Sequence, residues 1–174
     1  MPGYDLESLN VLVVDDNRHM HSIVKAILNA MRIKNIRFCD DAADAFVEMR
    51  QWMPDIIITD RKMEPLDGLD FVRLIRKGQD SPNPYVPIIL LTGYTELERI
   101  TEARDAGVTE ILAKPISIEA LHSRIVSIIE KPRSFIKAKH YFGPDRRRGR
   151  RAERYEGPHR RDDDADEVSD DDAA

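Results

Sequence analysis

The chain has 174 residues, 41% hydrophobic and 34% charged, which suits one ordinary core plus an appendage. The formal net charge of −5 argues against a general nucleic-acid binder, and the single cysteine, Cys39, excludes an internal disulfide. The opening MPGYDLESLN has neither a basic n-region nor an apolar h-region, so it does not read as a signal peptide. Apolar runs such as IIIT and IILLT are far too short to span a bilayer, which points to a cytoplasmic protein without a membrane span.

In chain order, the first short apolar run is VLVV (Val11–Val14), followed by a helix-length stretch over 18–31. Within that stretch His19 and His21 are two apart, so they do not share a helical face and do not form a metal pair. IRFC (Ile36–Cys39) is the second run and ends on a cysteine that reads as an inert buried thiol. A second helix-length stretch covers 42–51. The run IIIT (Ile56–Thr59) precedes a stretch over 66–77 that stops at Gly78. PIILLT (Pro87–Thr92) precedes one over 95–106 that stops at Gly107. EILA (Glu110–Ala113) precedes 117–130, where Ile118, Leu121, Ile125 and Ile128 make one apolar stripe. Nearly continuous hydrophobicity in the short runs suggests strands covered on both faces, as in a parallel sheet. Five strand–helix units predict a doubly wound α/β fold. The periodicity ends at Lys131, so the expected domain covers 6–131 and a charged tail covers 132–174.

In such a fold, ligands bind outside the carboxyl ends of the strands. Asp15 and Asp16 follow the first strand, Asp60 the third, Thr92 the fourth, and Lys114 with Pro115 the fifth. Crowded carboxylates repel one another, and a hard cation with oxygen ligands, Mg²⁺, removes that repulsion. A lysine ammonium and a threonine hydroxyl both suit phosphoryl oxygens. The set points to phosphoryl transfer to a carboxylate, governed by positioning and charge neutralisation. Taken singly, Asp16 and Asn17 could simply cap a helix, and Asp67 with Gly68 could be loop formers.

VLVVDDN, IIITDRKMEPLDG, LLTGY and ILAKPI, each after its own strand, resemble the receiver domain of two-component response regulators, over about residues 6–131. The resemblance implies a flavodoxin-like, five-stranded parallel sheet of order 2-1-3-4-5 with five helices. It implies Asp60 as phosphoacceptor, and Mg²⁺ held by Asp15, Asp16, Asp60 and the backbone carbonyl of Lys62. It implies Thr92 and Lys114 on the phosphoryl oxygens and a cis bond before Pro115. Lys62 and Tyr94 fall where receivers flank the phosphoryl group. Ile111 stands where receivers carry Phe or Tyr, which puts the usual threonine–aromatic switch in doubt. The partners implied are a histidine kinase or phosphotransfer protein, and a protein target on the face made by 95–106, 110–113 and 117–130, with no DNA. The activity implied is self-phosphorylation from a phosphodonor and slow autodephosphorylation, not catalysis on another substrate.

The tail is expected to be disordered, with a basic part over 133–161 and an acidic part over 162–174. No familiar DNA-binding module fits in it, so the chain resembles a stand-alone, CheY-like receiver. It holds a repeat: Tyr141-Phe-Gly-Pro-Asp-Arg-Arg recurs as Tyr155-Glu-Gly-Pro-His-Arg-Arg. Arginine forks recognise guanine edges and tyrosine planes stack on bases. Tyr141, Arg146, Arg147, Tyr155, Arg160 and Arg161 are therefore candidates for binding cyclic di-GMP. The tail is similar to arginine-rich extensions by which some chemotaxis-like receivers bind that nucleotide, which would make the chain a nucleotide-responsive adaptor acting on motility. The plainer expectation is a solvated polyampholyte.

Overall fold

The computed structural model of the protein describes residues 5–93, 99–147 and 166–168. Strands β1 (Asn10–Val14), β2 (Asn35–Cys39), β3 (Ile56–Asp60), β4 (Ile88–Gly93) and β5 (Glu110–Lys114) form one sheet in the order β2-β1-β3-β4-β5. Every pairing in it is parallel. Between and after the strands run α1 (Arg18–Ala30), α2 (Ala42–Gln51), α3 (Gly68–Lys77), α4 (Ile100–Ala106) and α5 (Ile118–Glu130). This is the doubly wound topology expected from the alternation of strands and helices, in the flavodoxin-like order that the resemblance to receivers implied.

Strand side chains alternate between faces, and the core divides accordingly. Leu12, Val14, Ile57, Ile88 and Leu90 pack with α2, α3 and α4. Val11, Val13, Ile56, Ile58, Ile89 and Leu91 pack with α1 and α5 on the other side. Helix starts are fixed by short polar caps, whose side-chain oxygens accept the first free N–H groups. Asn17 caps α1, Asp41 caps α2, Asp67 caps α3 and Ser117 caps α5. The Asp67 carboxylate accepts the Asp70 N–H at 2.8 Å, which starts α3 at Gly68 rather than at the expected 66. Arg99 gives α4 no side-chain cap. Gly107 ends α4 with φ of 100°, a left-handed conformation that a side chain would strain.

The expectation of disorder from residue 132 does not hold for the segment up to Arg147. β6 (Phe135–Ala138) and β7 (Tyr141–Pro144) form an antiparallel hairpin, and β8 (Asp166–Val168) pairs with the other edge of β6. The hairpin packs against α3 and α4. Phe135 and Tyr141 are buried. The rings of Tyr85, Phe135 and Phe142 lie 5.1 to 5.6 Å apart. Arg133 donates to the Thr109 carbonyl at 2.9 Å and to the Asp145 carbonyl. Three aromatic residues give this segment enough apolar surface to offset the ordering of a short hairpin, which a charge count alone does not register.

Beneath the hairpin sits Arg76 of α3, only 3% exposed. It donates to the carbonyls of Gly107 (3.0 Å), Pro84 (2.7 Å) and Val86 (2.7 Å). Its guanidinium also lies 5.0 Å from the centre of the Phe135 ring. Burial pushes its pKa down to about 9, so it remains a cation at neutral pH.

Candidate functional site

The three acidic residues expected at the strand ends meet. Asp15, Asp16 and Asp60 each offer a carboxylate oxygen within 4.8 Å of the others. β1 and β3 are neighbours in register, with Val14 opposite Thr59, so the residues ending these strands emerge side by side. Asp60 is itself the last residue of β3, one place further than the run IIIT suggested. Asp15 is 1% exposed, whereas Asp16 faces solvent. Asp15 Oδ1 accepts the Asn17 N–H at 2.8 Å, while Oδ2 is buried without a hydrogen-bond partner.

From β5, Lys114 brings its Nζ to 2.6 Å from Asp60 Oδ1. The contact is a close ion pair rather than an aligned hydrogen bond, since the same oxygen lacks a hydrogen-bond partner of good geometry. The Lys114–Pro115 bond is cis. Thr92 lies buried in β4, between the strands of Asp60 and Lys114. Lys62 is exposed. Tyr94 lies outside the described residues.

Burial pushes the Asp60 carboxyl above its ordinary value, against the opposing pull of Lys114 and the Arg61 N–H. Burial likewise raises Asp15, against the Asn17 N–H and with the help of the Asp60 charge. Desolvated, mutually repelling carboxylates with an orphaned buried oxygen form a donor set that a hard divalent cation fits. The backbone here is tightly packed. A Cβ on Gly68 would lie 2.1 Å from the Asp60 carbonyl oxygen, so only glycine allows α3 to start this close to β3.

The tail candidates among the described residues, Tyr141, Arg146 and Arg147, do not join this site. Tyr141 is not free to stack on a base: it is buried, and its hydroxyl donates to the Pro144 carbonyl at 2.6 Å. Arg146 lies over the Tyr141 ring at 4.6 Å and is ion-paired with Asp105. Arg147 pairs with Asp145 at 3.2 Å. Tyr155, Arg160 and Arg161 lie outside the described residues. Ile111 is partly buried against the α2–α3–α4 core, as a strand residue would be.

His21 packs on Phe38 at 5.0 Å, while His19 is exposed. Cys39 is buried, and burial with the nearby acids raises its thiol to about 12, which makes it inert. Sequence reasoning missed Arg61, the neighbour of Asp60, which pairs with Glu102 of α4 at 2.9 Å. It also missed Arg76. The signal was present, since Arg76 falls four residues after Val72 on the apolar stripe of α3.

Comparison with known proteins bears on the fold that carries this cluster. The response regulator receiver domain family matches residues 11–126. Chemotaxis protein CheY-3 of Vibrio cholerae is 29% identical over 125 residues, covering 72% of this chain and 95% of the relative. Chemotaxis protein CheY of Pseudomonas aeruginosa is 28% identical over 123 residues, covering 71% and 98%. The solved structure of Vibrio cholerae chemotaxis protein CheY4 superposes with a TM-score of 0.62 at 28% identity, over 69% of this chain and 98% of its own. No helix among the described residues is long and apolar enough to cross a membrane. A family match over well over half of the chain, on a sheet of order β2-β1-β3-β4-β5, makes this protein a member of the response regulator receiver domain family.

Proposed function

We propose that this receiver accepts a phosphoryl group on Asp60 from a histidine kinase or phosphotransfer protein, and then presents a changed surface to a protein target in the cytoplasm. The observation that carries the reading is the Asp60 carboxylate, 2.6 Å from the Lys114 ammonium and clustered with Asp15 and Asp16. In the transfer, an Asp60 oxygen bonds to phosphorus as the bond from phosphorus to the donor imidazole breaks. The departing nitrogen keeps the electron pair. Lys114 and the Thr92 hydroxyl steady the equatorial oxygens. Asp15, Asp16, Asp60 and the Lys62 carbonyl would hold Mg²⁺, which when bound neutralises the crowded carboxylates and the incoming phosphoryl charge. Beyond taking up a phosphoryl group and slowly losing it to water, the chain catalyses no reaction on another substrate.

The target docks on the α4–β5–α5 face. The names of the relatives, chemotaxis proteins, favour a motility target. A cyclic di-GMP-responsive adaptor would rest on the second Y-x-G-P-x-R-R copy, because Tyr141, Arg146 and Arg147 are engaged within the fold. Mass spectrometry after incubation with acetyl phosphate and Mg²⁺ tests the main reading. Wild type gains one base-labile phosphate and Asp60→Asn gains none; equal labelling of both proteins rejects Asp60 as the acceptor.

A further inference from the structure

Two consecutive residues where β3 ends serve opposite sides of the sheet. Asp60 turns to the acidic cleft and Lys114, whereas Arg61 turns to α4. The Arg61 side chain is 11% exposed and pairs with Glu102 at 2.9 Å, and Arg73 lies 3.9 Å from the other Glu102 oxygen. Three residues further along the same helix, Asp105 pairs with Arg146, whose guanidinium covers the Tyr141 ring. At the end of α4, the Gly107 Cα would lie 3.0 Å from a Cβ placed on Gly143 of the hairpin. One helix is therefore tied at its start to the neighbour of the acceptor, and at its end to the appended hairpin.

The apolar anchorage of α4 is slight. Its buried residues are Ala103 and Ala106, and its first turn lacks a side-chain cap. By comparison α3 buries Leu69, Phe71, Val72 and Ile75. Little apolar surface has to be exposed for α4 to shift, so its position depends mainly on its ion pairs.

We propose that α4 reports the charge state of Asp60 to the C-terminal hairpin. Arg61–Glu102 is the input contact, and Asp105–Arg146 is the output contact. Phosphorylation turns the singly charged Asp60 carboxylate into an acyl phosphate of about two negative charges, a net gain of about one close to Arg61, changing how its guanidinium is shared with Glu102. The helix then shifts, and the hairpin loosens on α3 and α4. This rests on Asp60 being the acceptor for its input, but the link from α4 to the hairpin stands independently of that reading.

Hydrogen exchange read by mass spectrometry on the full chain separates the two. Without phosphodonor, Glu102→Gln is expected to speed exchange in the 135–147 peptide about threefold or more, with α1 peptides unchanged. Exchange equal to wild type in that arm overturns the α4 link whether or not Asp60 takes a phosphoryl group. With acetyl phosphate and Mg²⁺, phosphorylated wild type is expected to show the same acceleration. Asp105→Asn, carrying the same phosphate stoichiometry, is expected to show no further change on phosphorylation. A fully phosphorylated wild type whose hairpin exchanges at the unphosphorylated rate overturns the relay. Absence of phosphate uptake rejects the acceptor assignment, and with it the input, while the Glu102→Gln arm still decides the α4 link.

Discussion

Replacing Asp15 by asparagine is expected to stabilise the fold while removing its response to Mg²⁺. The Asp15 carboxylate is 1% exposed, one of its oxygens has no partner, and two other carboxylates lie within 4.8 Å. At that separation one pair of unit charges repels by about 3.5 kcal/mol at an effective dielectric constant of about 20. Lys114 and the water over the exposed Asp16 offset most of this, leaving a net gain of about 1–2 kcal/mol, or roughly 2–8 °C in melting temperature. Asparagine keeps the oxygen that accepts the Asn17 N–H, so the loop conformation is retained.

The assay is thermal unfolding at pH 7.5 in chelator and in saturating Mg²⁺. Wild type is expected to gain about 2.7 kcal/mol at a Mg²⁺ concentration a hundredfold above its dissociation constant, and the variant to gain much less. The pH dependence has a definite sign. Burial holds the Asp15 carboxyl above its ordinary 3.8, so the folded chain binds that proton more tightly than the unfolded chain. The penalty is complete above the raised folded value and disappears below 3.8, so the gap between variant and wild type closes as the pH falls toward 4. A variant less stable than wild type in chelator, or a gap that does not change with pH, refutes the reasoning.

Two further outcomes concern the hairpin. Arg76→Leu strands the carbonyls of Gly107, Pro84 and Val86, and it is expected to cost about 2–4 kcal/mol by urea denaturation, after allowing for the desolvation it recovers. Truncation after Lys131 removes Phe135, Tyr141 and Phe142 from their contacts and is expected to cost about 2–4 kcal/mol, whereas truncation after Arg147 removes, among the described residues, only the three-residue β8 from the edge of β6 and is expected to cost less than about 1 kcal/mol. Calorimetry on the two truncated chains distinguishes a packed hairpin from an inert tail.

Alternating apolar runs made the sheet and its rim legible in the sequence. A strand buried on both faces has to be apolar throughout, so the polar residue ending it stands out, as Asp60 does after Ile56–Thr59. Lys114 and Thr92 stood out in the same way, and strand order then brought them together. The hairpin was not legible because its apolar residues are few and lie among charges: Phe135 and Phe142 find their partners on α3 and Tyr85, far away in sequence. The first Y-x-G-P-x-R-R copy read as a ligand clamp, yet its tyrosine, proline and first arginine bond to one another and to α4. Sequence periodicity records what a segment repeats, and a docking surface elsewhere in the chain leaves no mark on it. Arg61 escaped for a related reason: its role depends on Glu102, forty-one residues away.

The seat of the hairpin also bears on how such appendages can be exchanged between receivers. Three features of the body receive it: the Arg76 fork, the left-handed Gly107 and the Thr109 carbonyl. A Cβ at position 107 would stand 2.9 Å from the Arg76 side chain and 3.3 Å from the Phe142 carbonyl oxygen, so any other residue there closes the seat. Lysine at 76 would supply a point charge without the planar fork that holds carbonyls from two separate loops at once. The hairpin is therefore not a portable module. Grafted onto a receiver lacking this arginine and this glycine, the same sequence would find nothing to fold against, and moving it successfully means moving its seat as well.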